Sequence, residues 1–212
     1  MLEQEHYEEI PAESGRRAHR SRKVRLLVLA GATVLAVAVA VVVVLTRPPA
    51  DKAEAQELMR KSDQQLDALR PKGEKINASV NIILPDLGYM TSAQYEVTKG
   101  NIHAMVEETT AQLDNVRQGY SGILNLKGVD PYVEYAKVRL ALIDADLEQL
   151  AVVDGYLDYL SKALADRDGG TPVDTQAVTE ATSSSVSKLK ELSSQVEELT
   201  AKAEKIKKSR TL

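Results

Sequence analysis

The chain has 212 residues, a formal net charge of −4, eight tyrosines, and no Phe, Trp or Cys. Without cysteine there is no disulfide scaffold, thiolate metal site, Cys nucleophile or lipidated cysteine anchor. The charge balance gives no footing for nucleic acid. A core built from Leu, Val, Ile, Ala and Met favours helix-on-helix packing over a β-sandwich.

Residues 1–25 form an arm with acids first (Glu3, Glu5, Glu8, Glu9, Glu13) and bases last (Arg16, Arg17, Arg20, Arg22, Lys23, Arg25). It has no apolar periodicity and is expected to be a disordered cytoplasmic arm, its bases flanking a membrane. Residues 26–45, Leu26 to Leu45, are uncharged. At about 1.5 Å per residue they would cover about 30 Å, the thickness of a bilayer's hydrocarbon core, so they are expected to form a signal-anchor transmembrane helix. The bases on the N-terminal side predict a cytoplasmic N-terminus and an extracytoplasmic tail, hence a single-pass protein of the cell membrane with the lipid bilayer as a partner. Ala32, Ala36 and Ala40 recur every four residues and could form a self-association face. A cleaved signal peptide is the competing reading and would make the protein a secreted helical factor. The apolar run is longer than the roughly 7–15 residues usual for such a signal.

Residues 46–50 (TRPPA) are a short Pro-rich connector, and residues 51–212 are expected to be an extracytoplasmic helical domain. The first helix starts at Asp51 and should stop at Pro71 and Gly73; a shorter second piece runs from Glu74 to about Leu84, before a turn through PDLGYM. The third starts at Thr91, with Gln94 completing a capping box and Met90 facing Tyr95 as a staple, and runs to about Gln118. A glycine-punctuated loop follows, GYSGILNLKGVD. Its Ile123, Leu124 and Leu126 could dock a partner or continue the core stripe. Asp130 and Pro131 mark the start of the fourth helix, which ends at Asp168-Gly169-Gly170. Thr171 and Pro172 should open the fifth, whose seam runs through Val178, Thr182, Ser185, Leu189, Leu192, Val196, Leu199, Ala203 and Ile206.

The expected fold is all-α: a single N-terminal transmembrane helix followed by an elongated antiparallel helical bundle or coiled-coil hairpin of about five helices. Catalytic constellations do not emerge. His103 and Glu107 share a helix face at i, i+4, but without HExxH or further ligands the spacing favours a surface histidine over a metal site. Asp154 falls in register with the fourth helix's stripe, which can shift onto Val153 instead. The tyrosines are expected at the core's edge with hydroxyls in water. No enzyme activity, cofactor, metal or small-molecule substrate is indicated. The expected function is a membrane-anchored protein whose outer bundle makes protein–protein contacts or self-associates through its helices; the alternative is a ligand-sensing bundle signalling through a partner.

Overall fold

A seven-residue spacing of buried side chains runs through the helices of the computed structural model, which describes residues 50–210 and Leu212. On α1 (Ala50–Ile83) the series is Ala55, Ser62, Leu69, Ile76 and Ile83; on α2 (Ser92–Ile123) it is Tyr95, Ile102, Thr109, Val116 and Ile123. On α3 (Asp130–Asp168) it is Ala136, Ile143, Leu150, Leu157 and Leu164. A second series on the same helix, Tyr132, Arg139, Asp146, Val153 and Leu160, puts two charged residues in core register. The last helix, α4 (Thr175–Arg210), buries only Leu192, Ala203 and Ile206. A repeat of seven keeps one stripe facing the neighbouring helix along its whole length.

Consecutive helices pack side by side, α1 on α2, α2 on α3 and α3 on α4, with a lesser contact between α1 and α3. The backbones of α1 and α4 do not come together. α3 is therefore buried along the broadest face, and the α1–α4 side is closed by side chains only.

Four long helices replace the five expected, and the reasons are tertiary. Pro71 lies inside α1 instead of ending it. A proline here forfeits the bond to the carbonyl of Asp67, at a cost of about 3 kcal/mol. Continuing the helix buries Ile76 and Ile83, at 1% and 4% exposure, which stabilises by roughly 3–6 kcal/mol and wins. Likewise α2 runs through Gly119 and Gly122, where a loop was expected, because Tyr120 and Ile123 become fully buried one turn further on. The only element between α1 and α2 is a 3-10 turn, Leu84–Asp86.

Two start signals also moved. Val129, 2% exposed, occupies the N-cap of α3 without a side-chain cap bond, so Asp130 is the first helical residue and not the cap. At α4 the cap is Asp174, whose Oδ1 accepts from Gln176 N and Ala177 N, each at 3.0 Å, and the helix opens at Thr175, not near Thr171. A carboxylate bonding two orphan amides is a stronger start than Thr-Pro. The Thr91–Gln94 capping box of α2 is present in both directions.

The membrane expectations are corrected. No helix among the described residues is long and apolar enough to cross a membrane. Each turns its apolar stripe onto its neighbours and carries charge outward, as Glu57, Arg60 and Lys61 do on α1. The single-pass fold, the bilayer as partner, and the cell-membrane and extracytoplasmic placement all rested on Leu26–Leu45, which lies outside the described residues. Among the described residues the architecture that stands is a four-helix all-α bundle.

Candidate functional site

Towards the end of the bundle where α2 turns into α3, Asp63 on α1 gathers side chains from every other helix. Its Oδ1 accepts from Tyr120 OH on α2 at 2.6 Å and from Tyr135 OH on α3 at 2.7 Å. Its Oδ2 accepts from Lys207 Nζ on α4 at 2.8 Å. Arg139 Nε donates to the Tyr135 hydroxyl at 2.8 Å and lies 3.7 Å from Asp63 Oδ1, while another guanidinium nitrogen reaches Glu204 Oε1 at 3.8 Å. The guanidinium also sits 5.1 Å from the centre of the Tyr135 ring, within range of a cation–π contact.

Burial alone would raise the Asp63 pKa, but the bonds from Lys207, Tyr120 and Tyr135 and the charge of Arg139 outweigh it and hold the carboxyl below its ordinary value. Burial, reinforced by bonding to Asp63, pushes both tyrosine hydroxyls well above the ordinary phenol range, so both remain donors. Tyr95, Tyr120 and Tyr135 are fully buried, and Tyr95 OH donates to Leu157 O at 2.9 Å. These three correct the expectation of hydroxyls in water: a buried tyrosine needs a partner for its O–H, and Asp63 and a strand-free helical carbonyl supply it. Nothing in the α1 sequence alone marks Asp63 as that partner. Arg139 and Asp146 were legible as members of a seven-residue series through Tyr132, Val153 and Leu160.

Beside the cluster lies a cavity of about 270 Å³ on the α1–α4 side. Leu69, Leu113, Leu142, Leu150 and Val196 make its apolar walls. Exposed Asp67, Arg70 and Glu74 on α1 stand at its rim. Gly73 also lines it, and a Cβ there would meet nothing within 4 Å. Asp146 faces this space, and among the described residues its carboxyl has neither a hydrogen bond nor an ion pair. Burial alone pushes its pKa up to about 6.

Along the α2–α3 seam, His103 Nδ1 donates to Asp154 Oδ1 at 2.7 Å, and its Nε2 is 3.3 Å from Glu107. The bond from Asp154, then its charge, raises the His103 pKa above the ordinary value. Val153 takes the core position and Asp154 the half-exposed one beside it. Among the described residues no group of three or more His, Asp or Glu is placed to hold a metal ion.

No family model, curated protein or solved structure matches this chain. Its chemistry therefore rests on its own residues.

Of the residues picked out from sequence, the flanking bases Arg16, Arg17, Arg20, Arg22, Lys23 and Arg25 and the face Ala32, Ala36 and Ala40 lie outside the described residues. Ile123 is fully buried, Leu126 packs partly against the core, and Leu124 is 38% exposed. Three of the larger exposed apolar side chains flank the α1–α2 turn at the opposite end of the bundle, Ile82 at 71%, Tyr89 at 91% and Val97 at 70%, with Leu84 between them in chain order; Val186, 58% exposed, stands apart from them in the chain, on α4. The turn that carries Tyr89, between Ile82 on α1 and Val97 on α2, is held firmly. Leu87 and Met90 pack against the core, Arg167 on α3 donates to the carbonyl of Met90, and Asp168 Oδ2 accepts from Ser92 N at 2.6 Å. That backbone bond and the Arg167 guanidinium hold the Asp168 carboxyl down at about 2.

Proposed function

We propose that the bundle is a contact module whose α1–α2 end docks an apolar surface of a protein partner. The observation that carries this is the exposure of Tyr89 on a turn pinned by Arg167 and Asp168, with Ile82 and Val97 exposed on the two helices that the turn joins. Large apolar side chains left in water on a rigid support gain from being covered, and a pre-ordered turn spares the partner the cost of ordering it. Tyrosine, with only two side-chain torsions, is well suited to anchoring such a contact. The role is one of binding and not catalysis, supported by the character of the His103–Asp154 pair, a clamp on the outside of the α2–α3 seam with the imidazole side chain 45% exposed.

The test is photo-crosslinking in the native host from a probe at Tyr89, beside a control probe at the exposed Glu198. A discrete adduct from position 89 alone, lost when Ile82→Asp and Val97→Asp are combined, supports the reading. An adduct of twice the chain's own mass would replace the partner by a second copy. Absence of any discrete adduct, or equal adducts from both positions, would defeat it.

A further inference from the structure

We propose that the cavity between α1 and α4 binds a small organic cation, an ammonium on an apolar body of about one ring's size, with the Asp146 carboxylate as its counter-charge.

Size and lining come first. An enclosed apolar cavity of about 150 Å³ suffices for a benzene-sized molecule; this one, about 270 Å³, is partly open to solvent and combines apolar walls with polar and charged side chains. Its walls come from all four helices, and it lies where α1 and α4 are held apart, so its outer side is bounded by side chains and not by packed backbones.

The charge pattern selects the sign of the ligand. Asp146, half-buried and in core register, has no hydrogen bond or ion pair among the described residues, whereas Asp63 is fully engaged by Lys207, Tyr120 and Tyr135. Arg139 lines the same cavity but is committed to Tyr135, Asp63 and Glu204. From α1, Asp67 and Glu74 face the rim against the single cation Arg70; α2 and α4 contribute no titratable group to the lining. A half-buried carboxylate without a partner beside apolar walls gains from a counter-charge, and a ligand ammonium supplies one, which is why a cation fits better than a neutral or anionic guest.

Gly73 is a lining residue of the cavity, and an added Cβ there would meet nothing within 4 Å, so a larger side chain can be placed at this wall without a clash. Glycine inside a helix costs about 1 kcal/mol relative to alanine.

The experiment is calorimetric titration of the full-length protein with 2-phenylethylammonium near pH 8, alongside its neutral isostere 2-phenylethanol. Saturable one-to-one binding of the ammonium is expected, with the alcohol weaker by at least about tenfold. Asp146→Asn should weaken the ammonium by a similar factor, and Gly73→Leu, which fills the cavity without touching the charge, should abolish binding. Each substitution removes a local cost, so folding should survive both, and the comparison of the two ligands on the unaltered protein needs neither. No saturation by the ammonium in the millimolar range, equal binding of the alcohol, or unchanged binding by Asp146→Asn would each overturn the proposal.

Discussion

Lys207 Nζ lies 2.8 Å from Asp63 Oδ2, joining α4 to α1 across the one side of the bundle where the backbones stay apart. Asp63 is the hub of this link and Lys207 only one spoke. Asp63→Ala would leave two buried hydroxyls without their acceptor and the Arg139 guanidinium without its nearest carboxylate charge, and is expected to cost about 3–5 kcal/mol. Lys207→Met leaves Asp63 its other donors and should cost about 1 kcal/mol. Urea denaturation of both variants checks the ranking; equal losses would show that Asp63 serves Lys207 alone.

The Asp63 link also has a pH signature. Its native pKa lies below the ordinary 3.8, so its contribution is complete above 3.8 and is lost as pH falls through the native value. The difference between the wild type and Asp63→Asn should therefore shrink in acid, below 3.8. A difference independent of pH in that range would mean that the carboxyl is not titrating as an ion.

Asp146 should behave in the opposite sense. With a native pKa raised from 3.8 to about 6, the native state holds this proton more tightly than the unfolded chain. Stability is therefore lost as pH rises from 3.8 through about 6. Asp146→Asn removes that loss. It should match the wild type near pH 3.5 and exceed it above pH 7 by up to about 3 kcal/mol, less where water in the cavity screens the charge. Melting curves across that range, which show no gain in the variant at neutral pH if the carboxyl is solvated, decide it.

Gly119 marks the close approach of α2 to α1. A Cβ added there would fall well inside contact distance of Ser62 Oγ but at an ordinary 3.5 Å from Ser62 Cβ. Gly119→Ala should destabilise by about 1–3 kcal/mol, despite alanine's better helix propensity. Ser62→Ala should restore most of that in the double variant, a coupling readable by a double-mutant cycle. Simple additivity would place the strain elsewhere.

His103 gives a third titration. Its pKa is raised by the bond and the charge of Asp154, so its stabilising contribution is complete below 6.5 and lost as pH rises through the higher native value. The melting-temperature gap between wild type and His103→Gln should be open near pH 5 and closed by about pH 9. In the histidine NMR titration one resonance should shift upward, and Asp154→Asn should return it to the ordinary range.

The sequence by itself determined the all-α class, the Thr91–Gln94 start of α2, and the stripe from Ile102 through Val106, Leu113 and Val116, because caps and seven-residue periodicity act within one helix. It left the stripe of α3 between Asp154 and Val153, and the packing put Val153 in the core. Only the tertiary structure decided that Pro71 and Gly119 lie inside helices, because the gain that carries the chain past them comes from Ile76, Ile83, Tyr120 and Ile123 burying against other helices. The same holds for the tyrosines. Whether a phenol faces water or a carboxylate depended on Asp63 arriving from a helix 57 and 72 residues away in the chain, and no local signal encodes that meeting. The cavity is likewise a product of assembly: Asp146 and Gly73 are visible in the chain, but their shared space exists only because α1 and α4 stay apart.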